Sequence, residues 1–113
     1  MRGTPEPLHL PHSIALYFAS ENAHDASATD KCFAADATVR DESKTIAGLA
    51  AIKAWRIETA KNYDHRVEPL EVSQREGKII VKGKVSGNFP GSPIILDHSF
   101  VIMGDRIVSL EIC

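Results

Sequence analysis

The apolar period of this chain changes once, near Arg66, and that change limits the fold more than any other feature. Before it, apolar residues recur at three- and four-residue steps: Leu10, Ile14 and Tyr17 or Phe18, then Leu49, Ile52, Trp55 or Arg56, Thr59 and Tyr63 after Gly48. Such spacing paints one stripe along one face of a helix. After Arg66 the period is two. In "KIIVKGKV", Ile79, Val81 and Val85 fall on one face and Lys82 and Lys84 on the other, as in an antiparallel strand with one wetted face. Helices first and strands afterwards predict an α+β fold, with three N-terminal helices covering one face of a curved, mainly antiparallel sheet.

The punctuation agrees. Pro5, Pro7 and Pro11 keep residues 1–10 as an irregular arm and start the first helix near Pro11, to end near Asn22. Asp25 caps a short second helix carrying Ala28, Cys32 and Phe33, and "ATVR" has the β-branched content of a strand. Glu76-Gly77 and Gly104-Asp105 mark turns, and "NFPGSP", residues 88–93, is a loop. At 113 residues the chain is expected to form a single domain around one core.

Charge and motif content exclude several classes. Lys and Arg number 13 against 15 Asp and Glu, interspersed without a basic stripe, so neither nucleic acid nor an anionic membrane is an expected partner. The apolar runs "PIIL" and "FVIM" are far too short to span a bilayer, and the N-terminus lacks an apolar signal core; a soluble cytoplasmic protein is expected. His9, His12, His24, His65 and His98 show no HxH or HExxH spacing, so no metal is expected, and no phosphate-binding glycine motif points to a cofactor. Cys32 and Cys113 read as a buried thiol and a terminal one, not as a disulfide framework.

The chemistry concentrates in "IILDHSFVIM". Ile95, Asp97, Ser99 and Val101 share one face, and Leu96, His98, Phe100 and Ile102 the other. Both faces are largely apolar. The first is expected to line a pocket under the helices, and the second, with His98, to pack on another subunit as a homodimer interface. A carboxyl held among Ile and Val has its pKa raised by as much as roughly 3 to 5 units when fully buried, which would make Asp97 a neutral donor. Tyr17 is either a second donor or a core tyrosine bonded to a backbone carbonyl. Asp41, ending its strand, is either a proton-abstracting base or a cap on the turn into "ESKT".

The stretches "FAADATVRDE", "IAGLAAIKAW" and "LDHSFVIMGDRIVSLEI" resemble the nuclear transport factor 2-like superfamily, especially its SnoaL-like and ketosteroid-isomerase-like members. The resemblance runs from about Ile14 to Ile112. It implies a cone-shaped α+β fold with an internal pocket for a small hydrophobic molecule. It also implies cofactor-independent chemistry: Tyr17 matches the oxyanion-hole tyrosine of the isomerases, Asp97 the neutral acid beside it, and Asp41 the base. Phe18, Trp55, Phe89, Ser99 and Val101 are the candidate substrate-binding residues. An isomerase, a SnoaL-like cyclase, a non-catalytic carrier of an apolar metabolite and a dimerisation scaffold all fit the same fold.

Overall fold

A computed structural model describes residues 9–41 and 43–113. Of the expected irregular arm, residues 1–8 lie outside the described residues. Helix α1 (His12–Ala23) starts directly after Pro11, whose carbonyl accepts the first helical hydrogen bond from Ala15 at 2.9 Å. It stops where His24 turns left-handed at φ 54°. The buried positions of α1, among them Ile14, Tyr17, Phe18 and Glu21, recur at the helical step. Asp25 caps a single 3₁₀ turn (Ala26–Ala28) by accepting from the Ser27 backbone N–H at 3.1 Å. Helix α2 (Thr29–Cys32) then leads into β1 (Phe33–Asp41), followed by β2 (Lys44–Ala47) and α3 (Leu49–Tyr63). The remainder is strand: β3 (Arg66–Arg75), β4 (Lys78–Ser86), β5 (Ile94–Met103) and β6 (Arg106–Ile112).

The strands form one six-stranded sheet in the order β2-β1-β6-β5-β4-β3. Every pairing is antiparallel except β1 with β6, which is parallel, so the sheet is mixed. Register shifts within the β1/β6, β3/β4 and β5/β6 pairs mark irregularities of the kind that bend a strand and raise its twist. The sheet curves but stays open, and the three helices pack on it as an α+β cone. Tyr17 stands at the centre of the core. Its ring meets Phe18, Phe33 and Phe100 edge-to-face at centroid distances of 5.2, 5.9 and 5.6 Å, the arrangement aromatic quadrupoles favour. Asn22 ties α1 to β3 twice, donating to the Val67 carbonyl at 2.9 Å and accepting from the Val67 N–H at 2.8 Å.

Strand β5 alternates as expected but with its faces exchanged. Phe100 is fully buried under α1 and His98 is 3 % exposed, whereas Ile95 is 50 % exposed on the outer face. Size decides the orientation. Turning β5 over would expose Phe100, a loss of about 1.5–3 kcal/mol, and would bury the Asp97 carboxylate at a further penalty of several kcal/mol. Period-two alternation with apolar residues on both sides identifies two faces and leaves open which one is inside.

Candidate functional site

A cavity of about 650 Å³ lies between the concave face of the sheet and helices α1 and α3, large enough for a small organic molecule. Its sheet wall is mainly apolar, with Val67, Val85, Leu96 and Ile112, and Phe89 and Pro90 close one end from the 88–93 loop. Its helix wall is polar. Helix α1 contributes Tyr17 and Glu21, and α3 contributes Trp55, Glu58, Thr59, Asn62 and Tyr63, one turn apart as its three- and four-residue steps require.

Asp41 lines this cavity with Tyr17. In the sheet, Asp41 pairs with Ile112 and Ile112 with His98. Two interstrand spacings therefore separate Asp41 from His98, about 10 Å between backbones. A ligand lying on Ile112 spans them. Of the residues expected to bind substrate, Trp55 and Phe89 line the cavity. Phe18 stands behind the wall instead, 5.4 Å from the His98 ring and 5.8 Å from Phe100, because it is one residue round the helix from Tyr17.

Asp97, Ser99 and Val101 are corrected by the exchanged faces of β5: none of them lines the cavity. The Asp97 side chain is 49 % exposed and lies 3.6 Å from the Lys82 ammonium on the neighbouring strand. A pair this open contributes at most about 1 kcal/mol. The neutral acid expected beside Tyr17 is absent from the cavity.

His98 occupies the inner place. The next strand makes room for it with Gly83, where a Cβ would stand 3.0 Å from the imidazole Cε1, 3.2 Å from Nδ1 and 3.0 Å from Val67 Cγ2. Nδ1 is enclosed there without a hydrogen bond of good geometry among the described residues, while the backbones of Leu96 and Val81 lie against the ring. Burial pushes the His98 pKa below its ordinary value and keeps the ring neutral, able to donate or accept. Gly83→Ala is expected to displace this ring and destabilise the protein by about 1–3 kcal/mol. Urea unfolding measures the loss, and removal of the imidazole in Gly83→Ala/His98→Ala should recover part of it.

A buried ionic network sits beside the cavity. Arg56 Nε donates to Glu21 Oε1 at 2.8 Å, and the Glu21 Oε2 accepts from His65 Nε2 at 2.6 Å. The other Arg56 nitrogens donate to Thr29 Oγ1 at 3.0 Å and Ser20 Oγ at 2.5 Å. Burial alone would raise the Glu21 pKa, but the His65 hydrogen bond and the Arg56 guanidinium outweigh it and hold the carboxyl below its ordinary value of 4.5. The pH dependence follows by linkage. Glu21 contributes stability that is present above 4.5 and lost as pH falls through its lower folded-state value. His98, held below 6.5, is protonated in the unfolded chain before it is in the folded one, so stability also falls as pH drops below 6.5. The two act in the same direction. The urea midpoint is therefore expected to fall from about pH 7 downward, and His98→Gln should remove the upper part of that fall.

The sequence pattern left Glu21, Arg56 and His65 without a functional role and placed His98 at an outer interface. Glu21 carries a usable signal, one helical turn after Tyr17, and Gly83 carries another, since a glycine inside a strand marks a close approach. Nothing local marks His65, because its partner is 44 residues away. Among the described residues no group of three or more His, Cys, Asp or Glu could hold a metal ion, and no helix is long and apolar enough to cross a membrane.

A SnoaL-like domain model matches residues 14–109, nearly all of the helices and sheet that build this cavity. The chain belongs to the SnoaL-like family. A candidate polyketide cyclase from Sinorhizobium meliloti is 40 % identical in sequence, with 92 % of this chain and 95 % of that one covered and a TM-score of 0.87. A protein of ketosteroid isomerase-like fold from Catenulispora acidiphila, solved with trimethylamine, is 19 % identical over 93 % of this chain and 86 % of its own, at a TM-score of 0.79. A nuclear transport factor 2-like protein of unknown function from Cytophaga hutchinsonii is 10 % identical over 97 % and 93 %, at 0.77. The last two establish likeness of fold to this SnoaL-like chain and nothing about its chemistry. No curated protein matches it significantly.

Proposed function

We propose that this SnoaL-like protein is a cofactor-independent acid/base catalyst that closes a ring in a small hydrophobic polycarbonyl compound. The observation that carries the reading is that Asp41, Tyr17 and His98 line one cavity with an apolar sheet wall beneath them. Asp41 removes a proton from a carbon between two carbonyls. The resulting enolate carbon attacks a third, more distant carbonyl carbon of the same molecule, and that carbonyl's electron pair moves onto its oxygen. Tyr17 donates a hydrogen bond to that oxygen, and the protonated Asp41 returns its proton to give the hydroxyl. Neutral His98 supplies a further hydrogen bond at the other end of the ligand, two strands from Asp41. A placed base is worth about 10²- to 10⁴-fold and oxyanion donors a comparable factor, so both halves are needed.

Isomerisation of a β,γ-unsaturated ketone begins with the same proton abstraction. It is the weaker reading, because the Tyr/Asp oxyanion pair lacks Asp97, whereas the Sinorhizobium meliloti relative is itself a candidate cyclase. The two are separated by offering a short linear β-polyketone ester and a β,γ-unsaturated ketone and following each by absorbance. Ring closure faster than the uncatalysed reaction is expected. Binding of both compounds with turnover of neither would replace catalysis by carriage of an apolar metabolite. The outer sheet face, where Ile95 is half exposed, is read as a homodimer surface. A monomer by sedimentation at micromolar concentration would remove that part.

A further inference from the structure

Arg56 lies on α3 with 3 % of its surface exposed, a depth at which a cation needs several partners. It has them on two other elements: Glu21 and Ser20 on α1, and Thr29 at the start of α2. Three nitrogens of one planar group therefore point at three separate acceptors, and the plane of the guanidinium is set by them. A lysine ammonium could satisfy Glu21 but has no such fork. The same guanidinium carbon stands 5.3 Å from the centroid of the Tyr17 ring, within the range of a cation–π contact.

We infer that Arg56 is a positioning residue for Tyr17: held in place by Glu21, Ser20 and Thr29, it fixes the phenol ring and supplies the positive charge that strengthens donation by its hydroxyl. The inference rests on the reading of Tyr17 as a donor to the reacting oxygen. Four groups face the phenol electrostatically: Glu21 from its own helix, Arg56 from α3, Asp41 from β1 and Cys32 from α2. Burial first, and then Glu21, Asp41 and Cys32, disfavour negative charge on Tyr17, and Arg56 alone among the four opposes them. A charge that builds on the ligand oxygen is shared with the phenol through their hydrogen bond, so a cation beside the ring acts at the moment the oxyanion forms.

The chain has two tyrosines, so Tyr63→Phe leaves Tyr17 as the only phenol. With fluorotyrosine incorporated in that background, the ¹⁹F resonance follows ionisation of Tyr17 directly. The decisive comparison is Glu21→Gln, which leaves Arg56 with its hydroxyl partners and without its carboxylate, against Glu21→Gln/Arg56→Met, which removes both charges. Loss of Arg56 is expected to raise the Tyr17 midpoint by about one unit or more. Arg56→Lys in the parent background, which leaves Glu21 paired, should raise it less and serves as the second arm if either Glu21 variant does not fold. In turnover of the polyketone, kcat should fall with KM little changed. Coincident Tyr17 midpoints with and without Arg56 would overturn the inference whatever turnover does. Full turnover in Tyr17→Phe would instead remove the donor role proposed for Tyr17 while leaving the titration result standing.

Discussion

Asp41→Asn is expected to lower kcat for ring closure by about 10²- to 10⁴-fold, the range for loss of a placed general base. The substitution keeps the size of the side chain and its ability to accept a hydrogen bond, so the loss isolates proton transfer. Asp41 ends β1 opposite Lys44 and lines the cavity without being part of the fully buried core, which argues for small change in folding. Asp97→Asn is the matched control. Asp97 lies outside the cavity and half exposed, so its kcat should equal that of the parent. Steady-state rates under saturating substrate decide the matter. A parent-like Asp41→Asn rate, or a fall in Asp97→Asn of similar size, would end the assignment of Asp41 as base.

Removing Glu21 should have the largest effect on stability. The carboxylate is the only negatively charged partner that Arg56 has among the described ion pairs, and both side chains are more than nine-tenths buried. Glu21→Ala strands the guanidinium away from water, at a cost of about 3–5 kcal/mol. A domain of this size is stable by roughly 5–15 kcal/mol, so the variant should unfold at markedly lower urea concentration or fail to accumulate. Glu21→Gln/Arg56→Met removes the pair together and should recover much of the loss, since a buried ion pair replaced by neutral groups is often close to neutral in stability. Equal urea midpoints for Glu21→Ala and the parent would contradict the buried-charge account.

These two predictions concern residues with different visibility in the sequence. The position of Asp41 was legible because it ends a recognisable strand, "ATVRD", and it lines the cavity. Tyr17, Trp55 and Phe89 were legible through helical spacing and through the Pro/Gly loop, and all three line the cavity. The meeting of Glu21 and Arg56 was not. Each sits on the same helical stripe as buried apolar residues, Tyr17 and Phe18 in one case and Ile52 in the other. A charge in such a position is tolerated only when its counter-charge arrives from another segment, here 35 residues away, and no local pattern records that meeting. His98 was assigned to an outer interface and Asp97 to the pocket, each on the wrong side of the sheet.

The sequence alone determined the order of the helices and of every strand except β2, which was read as a turn, and the apolar stripes on α1 and α3, because these follow from periods and turn residues within a few positions of one another. The resemblance carried by "FAADATVRDE" and "LDHSFVIMGDRIVSLEI" added the fold. Tertiary structure decided which face of β5 meets the helices, and with it whether His98 or Asp97 enters the cavity. The physical reason is that alternation along a strand fixes only that neighbours oppose each other. The choice between the two faces belongs to packing at a distance: Phe100 against Tyr17 and Phe18, and the His98 ring against the bare backbone of Gly83.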